Sequence, residues 1–115
     1  MKFVKSRFLA GMLLTAAVQS AACADGGSGA MIPTGVTAEG GNIYISGKNL
    51  NPDKCAMDTV AIVRAANTDE ANRMMSLAVS AMLSRHKISM WFIGCAPVPW
   101  APSAPQVVSV ALSDG

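Results

Sequence analysis

Apolar and polar residues alternate cleanly from Asn42 to Gly47. Ile43 and Ile45 fall on one face and Tyr44 and Ser46 on the other, the period-two pattern of a half-buried strand. Ile32 to Ala38 alternates more weakly and predicts a preceding strand. Between the two, Glu39-Gly40-Gly41 supplies the positive φ angles of a tight hairpin. Lys48 to Lys54, with Asn49, Asn51, Pro52 and Asp53, carries turn residues and predicts a loop. Thr59 to Arg64 is β-branched and predicts a third strand, with Val60 and Ile62 on one face and Val63 opposite.

The period then changes. Asn67-Thr68-Asp69-Glu70 places a capping side chain before two carboxylates, where the positive end of a helix dipole favours them. The pattern predicts a helix over Asp69 to Arg85, ~25 Å long at 1.5 Å per residue. Asn72, Arg73, Ser76 and Ser80 form its polar side. The apolar remainder, from Ala71 to Leu83, covers roughly 240°, whereas a helix lying on one core needs a stripe little wider than about 100°. Either the helix buries a second face, or its several alanines simply tolerate water. His86 and Lys87 follow, placed to end the helix. His86 has no Ser, Asp or Cys partner pattern that would make it catalytic.

Ile88 to Ile93 predicts a fourth strand, with Ile88, Met90 and Phe92 facing one way and Ser89, Trp91 and Ile93 the other. Two apolar faces point to a central or covered strand. Pro97, Pro99, Pro102 and Pro105 surround Trp100 and predict a loop of extended, polyproline-like backbone without regular pairing. Val107 to Leu112 alternates again and predicts a fifth strand. The order β–β–β–α–β–β is that of the OB-fold, a five-stranded, partly open Greek-key barrel. The expected class is therefore mainly β with one helix; a two-layer α+β sandwich is the alternative.

The N-terminus changes how the charge is read. Lys2, Lys5 and Arg7 precede the apolar run Phe8 to Val18, and Ala22-Cys23-Ala24 offers small residues for cleavage before Asp25. This predicts a signal peptide over residues 1–24, with an apolar run shorter than the ~20 residues that span a bilayer. Export to the periplasm or beyond is the expectation. Acylation of Cys23 as a lipoprotein is the alternative fate, although Leu is missing three positions before it. Asp25 to Ala30 reads as a flexible tether to a single domain over residues 31–115. The full chain has nine basic and seven acidic residues, net +2. Loss of Lys2, Lys5 and Arg7 leaves six against seven, a net of −1, and removes any electrostatic footprint for nucleic acid.

Cleavage also leaves two of three cysteines. An even count in a small exported chain, with no Cys-x-x-Cys and a single histidine, points to a Cys55–Cys95 disulfide rather than a metal site. Closing a loop of about 40 residues is worth roughly 4 kcal/mol in the chain-entropy model. That is a large share of the about 5–15 kcal/mol that stabilises a typical domain.

The frame from Cys55 through Val60-Ala-Ile-Val63, Asn67, Met75-Ser-Leu77, Ala81 and Ile88-Ser-Met-Trp-Phe92 to Gly94-Cys95 resembles a group of small exported bacterial proteins. These are similar to the receptor-binding B subunits of subtilase- and typhoid-type AB5 toxins. The resemblance runs from Cys55 to the final strand, roughly 60 residues. It implies an OB-fold, a pentameric ring with helices 69–85 lining the pore, and binding to host sugars. The tether, the shorter first strands and the Pro-rich loop depart from that family, and none of its sugar contacts is carried over.

No constellation in the sequence supplies a positioned base or nucleophile, so the expectation is a non-enzymatic binding module without cofactor or metal. OB-folds bind along strands two and three and through the loops joining strands one to two and four to five. Here that nominates Tyr44, Ser46 and the loop carrying Trp100, aromatic faces being suited to sugar or peptide surfaces; the alternative for Trp100 is a plug over the barrel end. A structural or assembly protein without a small ligand, oligomerising through the helix, is the alternative.

Overall fold

A computed structural model describes residues 25–113; the expected signal peptide, Cys23 included, lies outside them. The described chain is mainly β with one helix, one disulfide and a six-stranded sheet. Its elements are β1 (Gly26–Gly27), β2 (Gly35–Glu39), β3 (Asn42–Ser46), β4 (Val60–Val63), α1 (Thr68–Ser84), β5 (Lys87–Val98) and β6 (Ala101–Ser113). In space the strands run β1-β5-β6-β4-β3-β2. Only β4 and β6 pair in parallel.

The local signals explain the elements nearest to them. Gly40 and Gly41 take φ of 59° and 80°, and Glu39 pairs with Asn42 directly across that two-residue turn. Both angles favour glycine, and their twist suits the flanking strands. The Asn67 side chain accepts from the Glu70 N–H at 2.9 Å, and the Glu70 carboxylate reaches back to the Ala66 N–H at 3.2 Å. These bonds satisfy donors that a helix start otherwise leaves unpaired. At the other end Arg85 adopts a left-handed conformation, φ 62°, and the His86 N–H donates to the Ala81 carbonyl at 2.9 Å. His86 thus ends the helix through its backbone. The helix begins and stops one residue earlier than the sequence pattern suggested.

The helix side of the sheet holds the larger core. Met74, Ala78 and Ala81 of α1 meet Ile45, Ala61, Val63, Ile88, Met90, Phe92 and Val107. The helix touches β2 and β3 as well as β5 and β6, so strands from both ends of the sheet order close on it. A smaller cluster lies on the opposite face of β3 and β4. There Tyr44 and Ile62 are covered by Ala96, Val98 and Ala104, from the far half of the β5–β6 hairpin.

That hairpin corrects the expected Pro-rich loop. Strand pairing continues through Cys95↔Pro105 and Ala96↔Ala104 to Val98↔Ala101, with Pro99 and Trp100 at the turn. Register shifts between Phe92 and Cys95 and between Ala96 and Val98 break the ladder on either side of Ala96. Proline removes a donor, but a bulge or a turn interrupts the ladder anyway, as at Pro97 and Pro99, whereas Pro105 stands in register with Cys95. Gly94, φ 69°, sits within the irregularity between Phe92 and Cys95.

The segment expected as a tether also carries structure. Gly26 and Gly27 pair with Phe92 and Trp91 of β5, and Met31 bridges Ile88. Ser28 is almost fully buried, its N–H donating to the Met90 carbonyl at 2.8 Å. Residues without side chains to pattern can still pair through their backbones. This strand raises the count from the expected five to six.

The Cys55–Cys95 disulfide is present, with a Cα–Cα distance of 5.7 Å. It fastens the loop between β3 and β4 to β5, just beyond the end of β1. Asn51 braces this loop from a left-handed position, φ 51°, its side chain donating to the Cys55 carbonyl and accepting from the Cys55 N–H, both at 2.8 Å. Asp53 accepts from the Gly94 N–H at 2.9 Å. The loop therefore caps the stretch of β5 edge that β1 leaves uncovered.

Candidate binding surface

The hairpin turn brings two of the three nominated residues together. Tyr44 alternates outward from β3, away from the helix, and Trp100 lies over it from the tip of β5–β6. Their ring centroids are 4.7 Å apart in an edge-on arrangement, interplanar angle 66°. Such geometry aligns the positive edge of one ring with the negative face of the other. Tyr44 is only 2% exposed beneath this cover, so it supports the surface instead of forming it. Trp100 keeps 47% of its surface in solvent, with Pro99 and Pro102 exposed around it. Ser46 lies two residues along the same face of β3 as Tyr44, half-buried, in register with Gly35 and Val60.

Two apolar faces suggested a central or covered strand; β5 is central, between β1 and β6, but the face bearing Trp91 is not covered. Ile88, Met90 and Phe92 enter the core, but Trp91 and Ile93 remain about half exposed on the other side of β5. The sheet flanks β5 laterally with β1 and β6 and leaves that face open. Sequence alternation identifies the two faces but cannot reveal what covers each.

A second recess forms where the Gly40–Gly41 turn approaches the start of α1. It is a shallow cleft of about 360 Å³ lined by Glu39, Asn42, Thr68 and Asn72 over Ile43 and Ala71. A neighbouring depression of about 310 Å³ shares Asn42 and Thr68 and adds Arg64 and Asn67. Arg64 is held there by its own contacts, donating from Nε to Gln106 at 3.2 Å and from Nη1 to Asn42 at 3.4 Å. These residues are dispersed through the sequence, and no spacing within it predicted their assembly.

The remaining charges are ordinary surface groups. Lys48 donates to Asp58 in an exposed ion pair, and that hydrogen bond holds the Asp58 carboxyl below the usual carboxylate range. His86 is exposed at the helix end. Among the described residues no group of three or more His, Cys, Asp or Glu side chains is placed to hold a metal ion. No helix among them is long and apolar enough to cross a membrane. Comparison with protein-family models, curated proteins and solved structures finds no match to the chain.

Proposed function

We propose that this chain is an exported, non-enzymatic binding module that presents Trp100 to a glycan or protein ligand on an OB-like barrel. The observation that carries this reading is the Tyr44–Trp100 pair. A half-exposed indole is held edge-on by a buried ring at the tip of a paired hairpin. An aromatic platform fixed in advance offers apolar contact area at small entropic cost on binding.

The strand connections support the barrel. A three-strand meander leads through a helix to a hairpin whose second strand lies parallel to the third of the meander. The two ends of the sheet order, β1 and β2, are also successive in the chain. Residues 26–39 pair with β5 at their beginning and with β3 at their end. One bent N-terminal segment would then close the barrel from both sides, as a partly open five-stranded barrel requires.

The test is binding of a labelled glycan and peptide panel to the chain without its leader. Trp100→Ala should weaken binding while the fold survives, and unchanged binding would discard this loop as the site.

Helix α1 favours a second reading, a structural or assembly protein that oligomerises. Met74, Ala78 and Ala81 fill the core, while the adjacent stripe of Met75, Val79 and Met82 is only partly covered and Leu83 is 75% exposed. A toxin-like pentamer would cover that stripe. A monodisperse pentamer in light scattering supports it; a monomer removes its physical basis.

A further inference from the structure

We propose that the Cys55–Cys95 disulfide is a reversible thiol-exchange site, entered by an external thiolate at Cys95. The two cysteines are not equivalent. Cys55, in the loop between β3 and β4, is only 7% exposed. Cys95 is exposed on the outward side of β5, with Ile93 and Pro97 exposed on either side of it. A thiolate opens a disulfide by attacking one of its sulfurs, so access decides which one is taken. Here access selects Cys95. Neither Tyr44 nor Trp100 takes part, and the site stands apart from the binding reading.

The co-reactant is a dithiol. Its first thiolate bonds to the Cys95 sulfur as the S–S bond breaks, and the electron pair of that bond leaves on the Cys55 sulfur, which takes up a proton. The second thiolate of the co-reactant then displaces Cys95, which is protonated in turn. The co-reactant ends as its own disulfide and both cysteines end as thiols. Each thiol would find an acceptor already in place. The Cys55 Sγ lies 3.9 Å from the Gly94 carbonyl oxygen, and the Cys95 Sγ lies 3.9 Å from that of Asp53. A thiol is a weak donor suited to such a contact.

Reversal requires that the opened pair stay together, and contacts that do not involve sulfur hold it. Asn51 fixes the Cys55 backbone by bonding both its N–H and its carbonyl, each at 2.8 Å. Cys95 is held in register with Pro105 in the β5–β6 hairpin. The loop and the hairpin are then tied directly. Asp53 accepts from the Gly94 N–H at 2.9 Å. Ala56 donates to the Ser103 hydroxyl at 2.9 Å, and Met57 donates to the Ser103 carbonyl at 3.0 Å. These bonds lie on both sides of Cys55 in the sequence, so they keep the thiols facing each other. Closure is then intramolecular and oriented in advance.

The experiment exposes the folded, oxidised chain without its leader to millimolar glutathione, quenches with acid, alkylates free thiols and maps the adducts. Cys55 and Cys95 fall on separate tryptic peptides, because Arg64 and Lys87 lie between them. Glutathione should be found on Cys95 in excess over Cys55, on the order of tenfold. The preference should vanish in denaturant. Full reduction with dithiothreitol should leave the far-ultraviolet circular dichroism of the chain in place, and the same bond should re-form once the reductant is removed. Asp53→Ala should slow that closure several-fold while leaving the adduct on Cys95. Adducts mainly on Cys55, or spread evenly in the folded chain, would overturn the proposal. So would a bond that opens only on unfolding, a preference that survives in denaturant, or closure that Asp53→Ala does not slow.

Discussion

Ser28 and Met90 lie 62 positions apart in the chain and are joined by two hydrogen bonds. The Ser28 N–H donates to the Met90 carbonyl at 2.8 Å, and the Met90 N–H donates to the Ser28 hydroxyl at 2.9 Å. The second bond is buried, so its loss leaves a donor without water. Ser28→Ala should therefore cost about 1–3 kcal/mol, measured by denaturant unfolding. Deletion of residues 25–30 should cost more, because it also removes β1 and its pairing with β5. A stability unchanged by that deletion would show the segment to be a tether after all.

What was legible in the sequence follows from how local each signal is. The Gly40–Gly41 hairpin, β3, β4 and the helix are written in neighbouring residues, and each appears within a residue or two of its expected place. β1 was not legible, since Gly-Gly-Ser has no side-chain alternation and its partner is far along the chain. The Pro-rich stretch misled for a different reason. Proline never donates a ladder bond, but where bulges or a turn already interrupt the ladder a strand can still pair around it, and those bulges are a tertiary outcome. Trp100 was recognisable as a candidate platform. Tyr44 could not be recognised as its buried support, because that depends on the hairpin curling over the outer face of β3.

The disulfide should contribute strongly. Replacing Cys55 and Cys95 together with serine, or reducing the bond, should lower unfolding stability by about 2–5 kcal/mol. The measurement is a denaturant titration with and without reductant. The double variant should be insensitive to the reductant.

Helix α1 should respond unequally along its two stripes. Ala81→Leu, at a fully buried position, should overpack the core and destabilise by about 1–3 kcal/mol. Leu83→Ala should leave monomer stability almost unchanged, since Leu83 is mostly in solvent. If the chain assembles through this helix, Leu83→Ala should instead lower the oligomer mass seen by light scattering.

The Lys48–Asp58 pair gives a small pH dependence of known sign. Its hydrogen bond holds the folded Asp58 carboxyl below its unfolded value. The contribution is thus present above the ordinary carboxylate pKa and is lost as pH falls through the lower, folded value. Asp58→Asn should flatten that part of the acid-unfolding curve, and added salt should do so partly, because the pair is exposed.

The most direct test of the binding account compares ligand affinity in Trp100→Ala with that of the unaltered chain across the glycan and peptide panel, the fold being verified by its disulfide and unfolding midpoint. Truncating a central aromatic contact should weaken binding by on the order of tenfold or more, about 1–2 kcal/mol. Binding that persists at full affinity in the folded variant would contradict the account.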